Sequence, residues 1–535
     1  MEADVAPYQM DLLSGRWCGC LTRFPTLTGQ LSALGLGIAI YAAIGSLTWP
    51  LGPDQALFNY VGNVILDGGV PYRDAWDIKG PLTYYLYALA MGIFGRRAIS
   101  IRILDLIVVV PFCWLLRRLV LRLNGNDAFG ATSATILFAL LYYDLSLWGT
   151  AQPDEWGGML ILVAVTLLLD PPWKSHWTMA AVGGLIALAT LLKPTFLIFL
   201  LLPMLYPVRD PIQEPYRVRS LTACMLALVL TIATLLLVLF SLGGGLRDYV
   251  DVLHYIVASH LPSRHFFTEL AALPQVLFRL GLLIPLLLAP IGIRVLRLGG
   301  MRRQASIMAG WLVLAILLVC IQGRYWSYHW LSADIALAVS LGIAFTWFGR
   351  HLKTQRPTLL RTKAVTLLIC LSAMAQLGGR ALAGTYEWVS YVFGLQERKQ
   401  YITHLTETYG WDYWACQSVS AYIVDHSDPN DRVLIWGLDV LVNVLSHRKS
   451  PTRFAISLPL VAEGPLRTKY RQLFMQEITM LPPRYIVVDA GDSWALVDRP
   501  GLELLNDFPE FSLFVQSRYV LVTKVDTFEL WSFAR

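Results

Sequence analysis

A short stretch between two apolar segments near the N-terminus carries a high density of charged residues. Within 51–98 they include Asp54, Arg73, Asp74, Asp77 and Lys79. Carboxylates can exchange protons with a substrate, and cationic side chains can hold an anion. Their density among aromatic residues favours a functional site. The plainer alternatives are an N-cap for Asp54, ordinary loop carboxylates for Asp74 and Asp77, and a Lys79 side chain that snorkels to a membrane surface.

Two further positions place charge beside apolar segments. Asp154 and Glu155 stand at the start of one such segment, where they would also serve as caps or favourable helix-dipole charges. Lys193 interrupts another. A charged residue within a membrane helix is costly, which favours a function, although Pro194 also permits a helix end with the lysine reaching the headgroups.

The histidines and cysteines give no clear metal motif. The spacing of His254, His260, His265 and His329 fits no standard ligand pattern, so solvated or hydrogen-bonded histidines are favoured. The seven cysteines are scattered, and only Cys416 falls in the C-terminal part of the chain. A metal is therefore unknown from the sequence, and a divalent cation is left open.

The elements that must position these residues are membrane helices. The chain has 535 residues, of which 56% are hydrophobic and 15% charged, against about 25% charged in soluble domains. We expect about eleven transmembrane helices. They fall near 31–50, 99–120, 128–148, 156–170, 178–192, 194–207, 220–242, 273–296, 305–322, 330–348 and 364–383.

The basic residues predict the orientation of these helices. The formal net charge is +6, but the Lys and Arg residues cluster in alternate short loops, which is a topology signal and excludes a nucleic-acid surface. We expect a cytoplasmic segment 1–30, a transmembrane domain 31–383 and an extracytoplasmic domain 384–535. The first extracytoplasmic loop, 51–98, would begin with an amphipathic helix lying in the membrane interface, ended by Gly68-Gly69.

The C-terminal domain reads as a small α/β domain. Short apolar runs at 433–436, 485–488, 519–522 and 528–533 predict strands, and 414–426 predicts a helix that ends before Asp428-Pro429. The predicted fold class is thus an α-helical polytopic membrane protein with a C-terminal extracytoplasmic α/β domain.

The order of the motifs resembles the GT-C superfamily of membrane glycosyltransferases, and among them the PMT-type protein O-mannosyltransferases and the lipid A aminoarabinose transferase. The motifs are Asp54-Gln55 after the first helix, Lys79-Gly80-Pro81-Leu82-Thr83-Tyr84-Tyr85, Asp154, Lys193-Pro194 and Tyr328-His329. Gln55 departs from the usual acidic pair. Ile78 stands where the aminoarabinose transferase has a metal-linked Glu, which puts a bound metal in doubt.

The resemblance implies a GT-C-like fold and transfer of a sugar, with inversion, from a polyprenyl-phosphate donor to a lipid, glycan or protein acceptor. Asp54 would be the general base, and Asp154 would orient the acceptor or support a cation. Lys79, with Arg73, Lys193 or Arg324, would hold the donor phosphate. Asp77, Glu155 and His329 would support the site or the acceptor. The expected location is the bacterial inner membrane, where the partners are the lipid bilayer and the lipid-linked donor.

Two other classes compete with the enzyme. A transporter or flippase of lipid-linked sugars would need polar groups inside membrane helices, whereas here they cluster in outer loops and no inverted repeat is visible. A non-catalytic member using its outer domain as a scaffold is the third possibility, and the presence of Asp54 and Lys79 argues mildly against it.

Overall fold

The N-terminal part of the protein is a bundle of apolar helices. The computed structural model describes residues 27–170, 175–204, 214–241, 244–260, 266–323, 325–352, 383–407, 411–490, 497 and 499–534. The first nine helices are α1 (Leu27–Ser46), α2 (Pro53–Leu66), α3 (Pro81–Phe94), α4 (Ala98–Leu123), α5 (Ala128–Tyr143), α6 (Ser146–Gly149), α7 (Pro153–Leu168), α8 (His176–Leu192) and α9 (Leu201–Met204), with a 3-10 turn at Pro194–Leu200 before α9.

The bundle continues with six helices and then leads into the C-terminal part. These are α10 (Glu214–Ser241), α11 (Leu246–Tyr255), α12 (Phe266–Arg279), α13 (Leu283–Leu298), α14 (Arg302–Gln322) and α15 (Leu331–Leu352), with a 3-10 turn at Ser327–Trp330 before α15. A helix α16 spans 383–392. Within the ranges given above, four helices are long and apolar enough to cross a membrane, or five if the pair α12–α13, bent by 87°, is one span.

The number of spans therefore stays a prediction. Five further apolar helical stretches within the described residues have 10–17 residues, shorter than a full span. The predicted helix at 364–383 lies outside the described residues, apart from its last residue, which begins α16.

The first loop is more ordered than the sequence predicted. A helix does begin at Pro53 and end before Gly68, but a second, apolar helix, α3, starts at Pro81 and ends at Gly95, whose φ is +90°. Proline is favoured in a first helical turn and glycine just past a helix end. The helix α2 is also buried along most of its length, because α3 and the C-terminal domain cover it. It does not lie as an isolated amphipathic helix on a surface.

The C-terminal part forms a four-stranded sheet with helices around it. The helices are α17 (Arg398–Glu407), α18 (Tyr413–Asp425), α19 (Leu441–Ser446), α20 (Leu458–Val461), α21 (Arg467–Met480), α22 (Gly501–Asn506) and α23 (Pro509–Arg518), and the strands are β1 (Val433–Trp436), β2 (Tyr485–Asp489), β3 (Tyr519–Val525) and β4 (Phe528–Phe533). The strand order is β1-β2-β4-β3, with only β1 and β2 parallel. The four predicted strands are all present.

Candidate active site

Asp54 lies in the first turn of α2 and points away from the helix backbone. The N-cap is Gly52, no side chain caps this helix, and Pro53 occupies the first turn, so the N-cap interpretation of Asp54 is wrong. Its carboxylate instead accepts hydrogen bonds from Gln152 Nε2, at 3.0 Å, and from the Tyr328 hydroxyl. Asp54 is therefore held in place by two distant parts of the chain.

Gln55 and Arg102 build the support behind Asp54. The Gln55 amide donates to the carbonyls of Trp148 and Thr150 at 2.6 and 2.7 Å. The Arg102 guanidinium donates to the Thr150 hydroxyl at 2.6 Å and to the Leu147 carbonyl at 2.8 Å. These contacts fix the loop that carries Gln152. Gln55 thus serves a structural purpose at the position where the resembled families place an acid.

Lys79 is a buried cation surrounded by aromatic rings. Its backbone carbonyl accepts from the Tyr72 hydroxyl at 2.7 Å, and its backbone N–H donates to the Tyr84 hydroxyl at 3.0 Å. The ammonium group lies 5.3 Å from the ring centroid of Tyr328 and 6.0 Å from that of Phe58. The side chain is 8% exposed. Such a cation is poorly hydrated and would gain from an anionic ligand.

Asp77 lies beside Lys79 and is almost fully buried. It accepts hydrogen bonds from the Tyr84 hydroxyl at 2.9 Å and from the Ile78 N–H at 2.6 Å. Burial raises the pKa of Asp77 to about 6, and the charge of Asp54 adds to the rise while that of Lys79 opposes it. Asp77 therefore changes its charge near neutral pH, next to the candidate anion site.

Gly80 brings Lys79 against the end of α8. Its N–H donates to the Leu192 carbonyl at 3.0 Å, and a Cβ at this position would overlap the carbonyl oxygen of Leu191. The Thr83 hydroxyl reaches the same Leu192 carbonyl at 3.2 Å. This close backbone approach places Lys79 near Lys193, the residue that follows α8.

Lys193 and Asp154 form a buried ion pair. The Lys193 ammonium lies 2.8 Å from both carboxylate oxygens of Asp154 and also contacts Gln322 Oε1. Asp154 is in the first turn of α7, as a favourable helix-dipole charge would be. Lys193 follows the end of a helix, but its ammonium is paired inside the protein. It joins α8 to α7 and α14, with its ammonium 6.0 Å from the ring centroid of Tyr328.

Tyr328 is the residue around which the site is assembled. Its ring faces both lysines and its hydroxyl donates to Asp54. The imidazole of His329 packs edge-on against this ring, with 4.7 Å between centroids. Sequence reasoning noted Tyr328 only as part of the Tyr328-His329 motif. It named Tyr84 only within the motif that begins at Lys79, and it missed Gln152 and Gln322 as site residues.

Two of the predicted site residues are not brought to this cluster, and a third is not described. Arg73 binds Asp74, with 2.6 Å between Nη2 and Oδ2, and is 39% exposed. Glu155 is buried and interacts electrostatically with Asp105 and Arg102 in the interior of the bundle. Arg324 lies outside the described residues.

No grouping of three or more His, Cys, Asp or Glu side chains suited to a metal occurs among the residues whose positions are described. His265 lies outside them. The question of a divalent cation, which the sequence left open, stays open. Together these contacts bring the Asp54 carboxylate and two lysine ammonium groups against one aromatic residue, Tyr328.

Comparison with solved structures shows that the chain shares its fold with ArnT, a structure neighbour that is a GT-C superfamily member. One similar structure is ArnT from Cupriavidus metallidurans, solved bound to undecaprenyl phosphate, with a TM-score of 0.60 and 12% sequence identity. The similarity covers 95% of this chain and 98% of the ArnT chain. The apo structure of the same protein has a TM-score of 0.54 and 13% sequence identity. The similarity covers 94% of this chain and 97% of the ArnT chain.

An oligosaccharyltransferase from Archaeoglobus fulgidus, solved tethered to an acceptor peptide, shares the fold with a TM-score of 0.50 and 15% identity. The similarity covers 94% of this chain and 74% of the archaeal protein. No family model matches the sequence, and no curated protein matches it. The likeness at these identities is a likeness of fold.

Proposed function

We propose that the protein transfers a sugar from a polyprenyl-phosphate donor to an acceptor hydroxyl on the extracytoplasmic side of the bacterial inner membrane. The observation that carries this proposal is the placement of the Asp54 carboxylate and the Lys79 ammonium against the same residue, Tyr328. A base and a buried cation at one site are the two groups that such a transfer requires.

Asp54 acts as the general base. It takes the proton of the acceptor hydroxyl while that oxygen forms a bond to the anomeric carbon. The bond from that carbon to the phosphate oxygen breaks, and its electron pair leaves with the polyprenyl phosphate. A single displacement of this kind inverts the anomeric configuration. Gln152 and Tyr328 hold the carboxylate oriented for it.

Lys79 binds the donor phosphate, and Lys193 assists. Lys193 is already paired with Asp154, whereas no carboxylate lies within 4.0 Å of the Lys79 ammonium in the part of the chain the structure describes. A buried cation without an ion-pair partner is suited to an incoming anion. The structure with undecaprenyl phosphate bound to ArnT, of the same fold, supports this donor class.

The test is donor consumption by the purified, reconstituted protein. A panel of undecaprenyl-phosphate sugars is supplied with lipid, glycan and peptide acceptors, and released undecaprenyl phosphate is measured. Release that requires an acceptor supports the proposal. Absence of release with every pair, together with movement of the intact lipid-linked sugar between vesicle leaflets, would show a flippase instead.

A further inference from the structure

One segment of the C-terminal domain is bound to the helices that carry the site. This segment, Lys449–Phe454, follows α19 and is called the strap. The Lys449 ammonium lies 2.8 Å from Asp67, at the end of α2. The Ser450 N–H donates to the Tyr60 hydroxyl at 2.9 Å, about two turns earlier on the same helix. The strap is therefore attached to the helix that begins with Asp54.

Arg453 is the most heavily bonded residue of the strap. Its guanidinium lies 2.7 Å from Asp248 of α11 and 2.8 Å from Glu477 of α21. Glu477 also accepts from the Arg453 N–H at 3.0 Å, and the Arg453 carbonyl accepts from the Trp76 N–H at 2.8 Å. Main chain and side chain are thus fixed together, and the side chain is 18% exposed.

Trp76 links Arg453 to the segment that carries Lys79. Its indole is buried, edge-on to Tyr255 at 5.1 Å and to Tyr470 at 5.9 Å between ring centroids. Trp76 directly precedes Asp77 and stands three residues before Lys79. The far end of this short segment is fixed by the hydrogen bond from Gly80 to Leu192. The segment that carries Lys79 is consequently held at one end by the bundle and at the other by the strap.

We propose that Arg453 is a positioning residue through which the C-terminal domain sets the affinity of the site for its lipid-phosphate donor. The inference rests on the proposed function, since it takes Lys79 as the phosphate ligand. Fixing the backbone on both sides of Asp77 and Lys79 removes conformational freedom that donor binding would otherwise have to remove. The domain then acts on the donor side as part of the site, without touching substrate.

The experiment compares Arg453→Ala with Lys469→Ala in the full-length, reconstituted protein. Lys469 makes another interdomain ion pair, 2.5 Å from Asp251 on α11, and its ammonium is thus bonded to α11 and not to the segment 76–79. We expect Arg453→Ala to raise the KM for the donor and the Kd for undecaprenyl phosphate about 10- to 100-fold, with a smaller change in kcat. Lys469→Ala is expected to change both by less than about twofold.

Two further variants distinguish a specific loss of donor affinity from a loss of folding. Arg453→Lys keeps one ion pair and is expected to restore part of the donor affinity, and Asp248→Asn, which leaves the Glu477 pair, is expected to give an intermediate Kd. Equal KM and Kd in Arg453→Ala and Lys469→Ala would overturn the inference and leave the proposed function standing. A wild-type protein that neither binds undecaprenyl phosphate nor transfers a sugar would overturn both.

Discussion

The ammonium groups of Lys79 and Lys193 lie 5.3 and 6.0 Å from the centroid of one aromatic ring, that of Tyr328. Lys193 is neutralised by Asp154, at 2.8 Å. Lys79 lies in the segment between α2 and α3, and its ammonium is the positive charge to which a phosphate would bind. Like charges placed this close repel each other, and a bound anion relieves the repulsion.

Removal of the Lys79 charge should weaken donor binding more than it slows acceptor use. In Lys79→Met we expect the Kd for undecaprenyl phosphate to rise at least about tenfold, since a charge-assisted hydrogen bond is lost. Equilibrium binding to protein in nanodiscs measures this. The control is Lys524→Met, which removes an exposed lysine on β3 paired with Glu529. Equal affinities in the two variants would remove Lys79 from the donor site.

The Asp154–Lys193 pair should matter for stability and function in separable ways. Breaking a buried pair leaves one uncompensated charge and costs about 3–5 kcal/mol, so Asp154→Leu should lower the thermal unfolding midpoint strongly. Adding Lys193→Met removes the second charge and should recover most of that midpoint. Donor affinity should stay low in the double variant. A double variant with full donor affinity would assign the pair to folding alone.

Asp77 gives the protein a pH dependence whose sign follows from its raised pKa of about 6. Below the ordinary carboxyl pKa the group is neutral in both folded and unfolded chains. As the pH rises toward 6, ionisation favours the unfolded chain, and above pH 6 the loss of stability is constant. Activity should instead rise through pH 6, because the negative charge of the ionised Asp77 attracts the Lys79 ammonium from a distance and helps to position it.

The measurement is the unfolding midpoint and the transfer rate between pH 4.5 and 8. In Asp77→Asn we expect the rise of the transfer rate near pH 6, which is the limb of the pH profile, to disappear. The unfolding midpoint should also vary less over pH 4.5–6. Asp74→Asn, a carboxylate already paired with Arg73, should leave the limb in place. A limb that persists in Asp77→Asn would assign it to another group.

Gly80 should not tolerate even one methyl group. A Cβ would overlap the Leu191 carbonyl, so Gly80→Ala must separate the start of α3 from the end of α8 and move Lys79 away from Lys193. We expect a lower unfolding midpoint and at least about a tenfold weaker affinity for undecaprenyl phosphate. Gly92→Ala on the same helix meets only Leu66 Cδ2, at 3.7 Å, and serves as the control. Identical behaviour of the two variants would contradict the close approach.

Local patterns were enough to predict α2 and the four strands but not α3, and the assembly of the site depends on contacts that these patterns do not encode. The apolar spacing from Leu57 to Ile65 predicts α2, and the short β-rich runs predict all four strands. The function of Tyr328 arises from rings and charges supplied by residues up to hundreds of positions away. The strap could not be predicted for the same reason. The contact of Arg453 with Trp76 is a hydrogen bond between backbone atoms, which does not depend on residue type.

The most direct test of the central claim compares Asp54→Asn with Asp74→Asn in single-turnover sugar transfer, with undecaprenyl phosphate binding measured in parallel. The account predicts that Asp54→Asn lowers the rate about 10²–10⁴-fold while the Kd stays within about threefold, since a general base contributes to the transfer step. Asp74→Asn should transfer at the wild-type rate. Transfer by Asp54→Asn at the wild-type rate would contradict the account.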